Sequence, residues 1–340
     1  MKTTRLLLSV CLLLTACAGT PPQGERPDWI DGSSKQFPAS QYLLGVGQSH
    51  SPAQARDLAR ADLAKVFQVA IQEQSSDTEV ATITATDQHI EHSLEQKVSR
   101  HIVTQTDRVM QGVQIGQTWT DPASQQVYAL ALLNRIQAGE IFRQDINSLD
   151  RQTTLAIARA KDESDILKKI GLAQQALEAQ YQRREIQRRY RIVDPSGQGS
   201  REQVAVGKLE QDLQQLLGRV YIRAESDNAT LATTLSSALA EAGFATHAGQ
   251  QPGYILQASL QSSPVTRLDG VYWLRSVLDL ALRETNAPGR ARGSARWTIK
   301  VSSVEEQQLQ PRLLNQVSIL SKQRLKQTII DFGLGLAQPK

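Results

Sequence analysis

A long helical pattern from Arg135 to Tyr190 limits the architecture of this chain more than any other feature. The stretch contains no proline, and apolar or small residues recur in it at alternating spacings of three and four. This spacing is typical of a coiled-coil seam. The polar cluster 161–164 interrupts the seam, however, and equally favours a helical hairpin that folds back there. We therefore expect a helical connector over residues 135–192, built as one long helix or as two antiparallel helices.

The amino terminus carries the pattern of an export signal. Lys2 and Arg5 precede an apolar run over residues 6–14, which is too short for a permanent span of about twenty residues. The following residues, Leu14 to Cys17, resemble the bacterial lipobox. This resemblance implies cleavage after Ala16, a signal peptide over residues 1–16 and lipid on Cys17. The alternative is an ordinary secretory signal with an incidental cysteine.

The predicted lipid anchor places the body in the cell envelope. Two or more acyl chains hold a protein stably on a membrane, with residues 17–26 as a polar tether. Neither Ala18 nor Gly19 is the aspartate of an inner-membrane retention signal, which favours the outer membrane and a body in the periplasm. The only cysteines are Cys11 and Cys17, so the mature body has no intramolecular disulfide. We expect the protein to contact the membrane through its lipid. We also expect it to have other envelope proteins as partners.

Charge gives no support for nucleic-acid binding. Removing Lys2 and Arg5 from the 38 basic residues leaves 36 against 34 acidic ones, so the mature body is nearly neutral. The high isoelectric point therefore overstates any attraction to nucleic acid, and we predict no nucleic-acid partner for an exported body.

The first part of the body predicts a helix-plus-hairpin α+β domain over residues 27–134. Residues 42–46 form a short strand, with Gly45 and Gly47 in the tight turn that follows it. Residues 53–74 have the periodicity of a core-facing helix, and 90–102 mark a second helix. Residues 113–119 and 126–134 then form a hairpin, of which the second strand is apolar on both faces.

Five segments occur along this domain in the order Pro27–Ile30, Tyr42–Ser49, the alanine-rich helix from Ala53, Trp119–Asp121 and Val127–Arg135. In these segments and their order the domain resembles the LPP-twenty lipoprotein family, which includes flagellar outer-membrane lipoproteins of the FlgP type and the amino-terminal domain of FlgT. The likeness covers about residues 27–149. It implies an envelope scaffold without an enzymatic role, with the flagellum as one candidate context. In this interpretation Trp29 and Tyr42 are core anchors.

The remainder predicts a carboxy-terminal two-layer α/β sandwich over residues 201–340, after a linker at 193–200 that contains Pro195, Gly197 and Gly199. Most of its sheet is expected to be antiparallel. Its strands are placed at 220–224, 254–260, 271–283 and 295–301, with helices at 229–242 and 305–330. By element order alone, this domain resembles the small periplasmic α/β domains of CsgG, LpoB and the TolB amino terminus.

The sequence contains no complete match to a known catalytic motif. Gly45 and Gly47 begin a dinucleotide fingerprint, but His50 stands where its third glycine belongs. His89, His92 and Glu95 have the spacing of zinc ligands on one helix, although their charged neighbours favour a solvated face. We therefore predict no catalytic residue, no cofactor and no metal.

Two groups of charged residues are candidate interaction surfaces. The first is a basic cluster at the end of the long helix: Arg183, Arg184, Arg188, Arg189 and Arg191. It either complements the helix dipole and covers apolar surface, or contacts anionic lipid or an acidic partner. The second is a stripe of Arg275, Asp279 and Arg283, with Arg290, Arg292 and Arg296 nearby. It is either a docking surface or the wet face of a sheet.

Three functions are compatible with these features. The first is a non-enzymatic structural or protein-interaction component of an envelope assembly, possible also as a homo-oligomer. The second is a regulator that activates a cell-wall enzyme through the carboxy-terminal domain. The third is a metal-dependent enzyme whose site the sequence does not reveal.

Overall fold

The computed structural model describes residues 25–79, 109–246, 251–286 and 291–336, and it confirms the α+β class. The chain divides into two compact units. The amino-terminal unit comprises the described residues up to Gln68 together with Val113–Asn134, and the carboxy-terminal unit comprises the rest.

The amino-terminal unit is a three-stranded antiparallel sheet with a helix. The strands are β1 (Tyr42–Ser49), β2 (Gln114–Thr120) and β3 (Val127–Asn134), in the order β1-β3-β2. The helix α1 spans Pro52–Glu79, and the predicted helix at 90–102 lies outside the described residues. As predicted, β3 is apolar on both faces, since it is the central strand and packs on both sides.

The predicted turn at Gly45 and Gly47 is wrong, because β1 continues through both glycines to Ser49. A Cβ at either position would come closer than 3.0 Å to backbone atoms of α1 at Ala55, Ala59 or Leu63. The glycines therefore allow α1 to pack directly on the strand. Close approach of another backbone is a reason for glycine within a β-strand that does not involve a turn.

The opposite face of this sheet is covered by the residues that precede β1. Trp29 lies in a 3₁₀ turn over Asp28–Asp31, is 1% exposed, and donates from Nε1 to the Gln117 side chain at 2.7 Å. It packs on Leu130 and Leu132 of β3. Tyr42 joins the rim of this cluster. The prediction that Trp29 and Tyr42 act as core anchors is consistent with these contacts.

The carboxy-terminal unit contains a helical hairpin. The helices are α2 (Arg135–Asp162) and α3 (Ile166–Val193), and they run antiparallel. Asp165 begins α3 by accepting hydrogen bonds from the amides of Leu167 and Lys168 at 3.0 and 3.2 Å. Of the two predicted alternatives, the structure therefore contains the hairpin, with its turn at the polar cluster that interrupts the seam.

The predicted linker forms a compact hydrogen-bonded turn. Asp194 ends α3, and its Oδ2 accepts from the Gly199 amide at 2.7 Å and from the Ser196 hydroxyl at 2.6 Å. Gly197 and Gly199 have positive φ angles, which glycine adopts without strain. Gln187 of α3 also binds the backbone of Ser200. This turn is thus held against the helix that precedes it.

A five-stranded sheet and three further helices complete this unit. The elements after the turn are α4 (Val206–Leu217), β4 (Ile222–Glu225), α5 (Ala229–Glu241), β5 (Tyr254–Ser262), β6 (Thr266–Leu268), β7 (Val271–Glu284), β8 (Ala291–Ser303) and α6 (Leu309–Leu334). Among the described strands of this sheet, β4 and β5 pair in parallel and the other pairs are antiparallel, so the prediction of a mostly antiparallel sheet is confirmed. Strand β7 is central, between β5 with β6 on one side and β8 on the other.

One hydrophobic core joins the helices to one face of this sheet. It contains Leu167 and Ile170 of α3, Leu278 and Leu280 of β7, and Ile329 of α6. Residues of the hairpin therefore share a core with the sheet instead of standing apart as a separate connector.

Candidate functional site

The opposite face of the five-stranded sheet is the most distinctive surface among the described residues. Side chains alternate between the faces of a strand, so every second residue of β5, β7 and β8 points away from the helices. We call this surface the open face. Its side chains are Gln257, Ser259 and Gln261 of β5, Trp273, Arg275, Val277, Asp279, Ala281 and Arg283 of β7, and Ser294, Arg296, Thr298, Lys300 and Ser302 of β8.

Polar contacts across the strands stabilise one part of the open face. Asp279 of β7 lies between Ser259 and Arg296 in the strand pairing, and Arg296 Nε donates to Asp279 Oδ1 at 2.6 Å. A pair of opposite charges on neighbouring strands stabilises a solvated sheet face by roughly a few tenths of a kcal/mol. This pair is compensated and requires no ligand.

A second part of the open face has a positive charge without such compensation. Arg275 of β7 lies directly opposite Lys300 of β8, and like charges in this position destabilise a sheet. The Lys300 ammonium lies 4.1 Å from the centre of the Trp273 ring. Among the described residues, neither Arg275 nor Arg283 forms an ion pair. The strands thus place cations together where only an anion from outside the described structure would neutralise them.

Beside these cations, an open groove of about 1360 Å³ runs over the sheet towards the end of α6. Its lining carries carboxylates, amides, hydroxyls and guanidinium groups, among them Asp227, Gln257, Ser294 and Thr298, and includes no histidine or cysteine. Groups of this kind form hydrogen bonds and ion pairs. The groove therefore has the chemistry of a recognition surface for a polar partner.

One wall of the groove is held by a cluster of buried charges. Arg292 is 8% exposed, and its guanidinium lies 2.5 Å from Asp165 at the start of α3 and 3.0 Å from Glu284 of β7. Burial raises the pKa of Asp165, but amide hydrogen bonds from Lys168 and Leu167 and the charge of Arg292 outweigh it, so the net pKa is lowered. The adjacent Tyr254 phenol has a raised pKa, because of burial and the nearby carboxylates.

The structure separates the residues of the predicted stripe. Arg275, Asp279, Arg283 and Arg296 lie on the open face, as expected of a sheet face. Arg292 is buried in its ion pairs, because a register irregularity beside Arg283 displaces it from the alternation, and it does not belong to this surface. Arg290 lies outside the described residues.

The predicted basic cluster at the end of α3 does not form one surface. Arg183 and Arg189 are buried, which excludes them from an exposed patch, while Arg184 and Arg188 are half-buried and Arg191 is exposed. Burial lowers the pKa of Arg189, although the charge of Glu185 partly offsets this. Residues at i, i+1, i+5 and i+6 of a helix point in several directions, and the hairpin covers part of that circumference.

Arg183 instead stabilises the helical hairpin from within. Its Nε donates to Asp150 Oδ1 of α2 at 2.7 Å, and its Nη2 donates to the carbonyl of Arg201 at 2.7 Å. Gln180 also donates to Asp150 at 3.2 Å and to Thr153 at 2.8 Å. This buried network fixes the pairing of α2 with α3 and the position of the turn that follows.

Other predicted sites lie outside the described residues. They are Cys17 with the cleavage point after Ala16, and the zinc-spaced His89, His92 and Glu95. Within the described ranges, no group of three or more histidine, cysteine, aspartate or glutamate side chains could hold a metal ion. None of the helices in those ranges has the length and apolar character required to cross a bilayer.

Trp273 and Lys300 were not among the residues predicted for a site. The signal was present, because residues 294–302 alternate polar or charged with apolar residues, as expected of a strand with one wet face. What it lacked was the pairing register that sets Lys300 opposite Arg275.

Comparison with known protein families gives a match for the amino-terminal part. Residues 27–134 match the family model of the LPP20 lipoproteins, which confirms the resemblance found in the sequence and ends it at the last residue of β3. No curated protein matches the chain.

Solved structures give distant matches. The secreted protein HP1454 of Helicobacter pylori aligns with 15% identity and a TM-score of 0.42 over 83% of this chain and 96% of that one. A minor lipoprotein of Acinetobacter baumannii aligns with 15% identity and a TM-score of 0.25, over 36% and 98% of the two chains. At these scores neither structure carries an argument about fold or function.

Proposed function

We propose, with the LPP20 lipoprotein match of residues 27–134 as the premise, that this chain is a lipid-anchored envelope protein without an enzymatic role. In this proposal Cys17 carries the lipid and holds the protein on the outer membrane, with the body in the periplasm. The carboxy-terminal unit binds another envelope protein through its open face.

The observation that carries the binding role is the uncompensated positive charge at Arg275 and Lys300. A folded protein gains nothing from two opposed cations on its own sheet, whereas an acidic group of a partner placed between them would gain two ion pairs. Trp273 beside Lys300 adds an aromatic surface of the kind enriched at protein interfaces. An acidic protein surface fits this arrangement of cations, ring and hydrogen-bonding groups.

Cross-linking in intact cells tests the proposed binding. A photoactivatable residue at Gln261, an exposed position on the open face, should capture a partner protein in the wild-type chain. The double variant Arg275→Ser/Lys300→Ser should lose most of this product. The matched control Arg151→Ser/Arg219→Ser removes two exposed cations elsewhere in the same unit and should retain it.

Three results would refute the proposal. They are the absence of any protein adduct at Gln261, equal capture by both double variants, and capture of lipid alone. The anchor is tested separately by a Cys17→Ser variant. This variant should be lost from the membrane fraction, while its body folds as in the wild type.

A further inference from the structure

Strand β8 is a long edge strand that pairs on one side only. It spans thirteen residues, and within the described ranges its sole neighbour in the sheet is β7. The opposite edge of the sheet is formed by β4, which has four residues. Long unpaired edges are uncommon because they offer a template to any other strand.

The strand pairing shows which backbone groups of β8 are free. The Ser263 amide donates to the Arg275 carbonyl at 2.9 Å, so Arg275 and every second residue from it direct their backbone groups towards β5 and β6. The intervening residues of β7, including Leu278, bind β8 at odd-numbered positions such as Trp297. The backbone amides and carbonyls of the even-numbered residues of β8 therefore point outwards from the edge of the sheet, away from β7. In agreement, Arg312 donates to the carbonyl of Ser302 from outside the strand pair at 2.9 Å.

The central part of this edge is without hydrogen-bond partners in the described structure. The residues concerned are Ser294, Arg296, Thr298 and Lys300, each with one amide and one carbonyl directed outwards. Charged side chains on an edge strand usually prevent pairing with another chain, because they oppose like charges or clash with the incoming strand. Whether Arg296 and Lys300 do so depends on which residues they face.

A second copy of β8 fits this edge in one antiparallel register without opposing the cations. When the two copies of β8 overlap along their full length, Trp297 lies at the centre of the pair. This register sets Arg296 opposite Thr298 and Lys300 opposite Ser294 of the other copy. A shift of two residues in either direction opposes Arg296 to Arg296 or to Lys300, which is unfavourable. The register with the most hydrogen bonds therefore places no two cations directly opposite each other.

We propose that two copies of this chain pair along β8 to form one continuous antiparallel sheet. The two-fold axis of such a pair is perpendicular to the sheet, so both open faces lie on the same side. The inference depends on the geometry of β8 and not on the proposed binding role. Each dimer would then present two copies of the cations at Arg275 and Lys300 to one partner surface.

Cysteine cross-linking of the full chain in cells tests the register. Directly opposed residues have Cα atoms about 5.5 Å apart, within the range that a disulfide spans. The double variant Arg296→Cys/Thr298→Cys should therefore form a covalent dimer under mild oxidation. The matched control Gln257→Cys/Ser259→Cys has the same spacing on the same face, two strands away from the edge, and should form no covalent dimer.

Backbone substitution tests the hydrogen bonds themselves. Thr298→Pro removes an amide that is not used within the sheet, so the fold is retained while pairing is blocked. In sedimentation of the detergent-solubilised full chain, its dimer dissociation constant should rise by at least about tenfold, whereas Thr298→Ala should behave as the wild type. The inference is overturned if the cysteine pairs cross-link equally, if β8 captures a different protein, or if Thr298→Pro leaves dimerisation unchanged.

Discussion

The two sheets of this protein differ in how many of their faces are covered. In the amino-terminal unit, α1 packs on one face through Gly45 and Gly47, and the cluster around Trp29 covers the other. In the carboxy-terminal unit, the helices cover one face, and among the described residues no layer covers the other. The first sheet is thus used for stability on both sides, whereas the second has one side available for binding.

This difference determines where substitutions should affect folding. A residue between two packed layers has little space to adjust, so a change of one methyl group or one charge there alters stability. A residue on a solvated sheet face has water as its alternative partner. Substitutions at buried and at solvated positions should therefore differ in their effect on the unfolding free energy, from the largest at Arg183 to the smallest on the open face.

Arg183→Met should have the largest effect. It leaves the carboxylate of Asp150 buried without its ion-pair partner, and the two side chains are only 2% and 9% exposed. We expect a loss of about 3–5 kcal/mol in the unfolding free energy, measured by urea denaturation. Arg184→Met, one residue further on the same helix, should change stability by less than about 0.5 kcal/mol. Similar losses in both variants would show that the buried network is unimportant.

Gly47→Ala should be the next largest. Its Cβ would overlap backbone atoms of Ala55 and Ala59 in α1, and a backbone cannot rotate away as a side chain can. We expect a loss of about 1–3 kcal/mol, seen as a lower melting temperature. The same substitution at Gly207, an exposed position of α4 with open space around it, should stabilise by about 0.5–1 kcal/mol. Opposite signs at the two glycines are the diagnostic result.

Asp165→Asn should reduce stability in a pH-dependent manner. Asparagine retains the helix cap but loses the charge that pairs with Arg292, for an expected cost of about 2 kcal/mol at neutral pH. Since the folded-state pKa of Asp165 is lowered, its contribution is present above the unfolded pKa of about 3.9 and disappears as the pH falls through the folded value. The difference between wild type and variant should therefore shrink in acid. A difference that is constant with pH would contradict this.

Arg275→Ser/Lys300→Ser should have the smallest effect on folding. Removing two opposed cations relieves repulsion, so stability should stay within about 0.5 kcal/mol of the wild type or rise slightly. Thermal melts measure this directly. A clear destabilisation would mean that the open face is covered by a part of the protein itself, and that its two sides resemble those of the first sheet.

Local patterns in the sequence predicted most of the elements. Proline, glycine and polar residues at the ends of apolar periodic segments placed α1, α5 and β3 within five residues of their observed bounds. The cluster 161–164 also indicated where the hairpin turns. The Asp269-Gly270 pair, with both φ angles positive, is the expected signal of the β6–β7 turn, which went unused.

Contacts between distant residues were beyond the reach of those patterns. Glycines spaced as Gly45 and Gly47 are compatible both with a turn and with a strand that packs closely under a helix. Only the close approach of α1 distinguishes the two cases. The burial of Arg183 depends on Asp150, which lies in the other helix of the hairpin. The candidate site likewise depends on the register of β7 with β8. Its residue types were predicted in part, but not which charges are opposed.

The strict alternation along β7 has a consequence for how this protein can change. Leu274, Leu278 and Leu280 face the helices, while the residues between them face outwards. In the proposed role, recognition and folding are therefore encoded at different positions of one strand. Mutation can alter the charge of the outer set, and with it the preferred partner, while the core remains as it is. Homologues should accordingly vary at 275, 277 and 283 more freely than at the leucines.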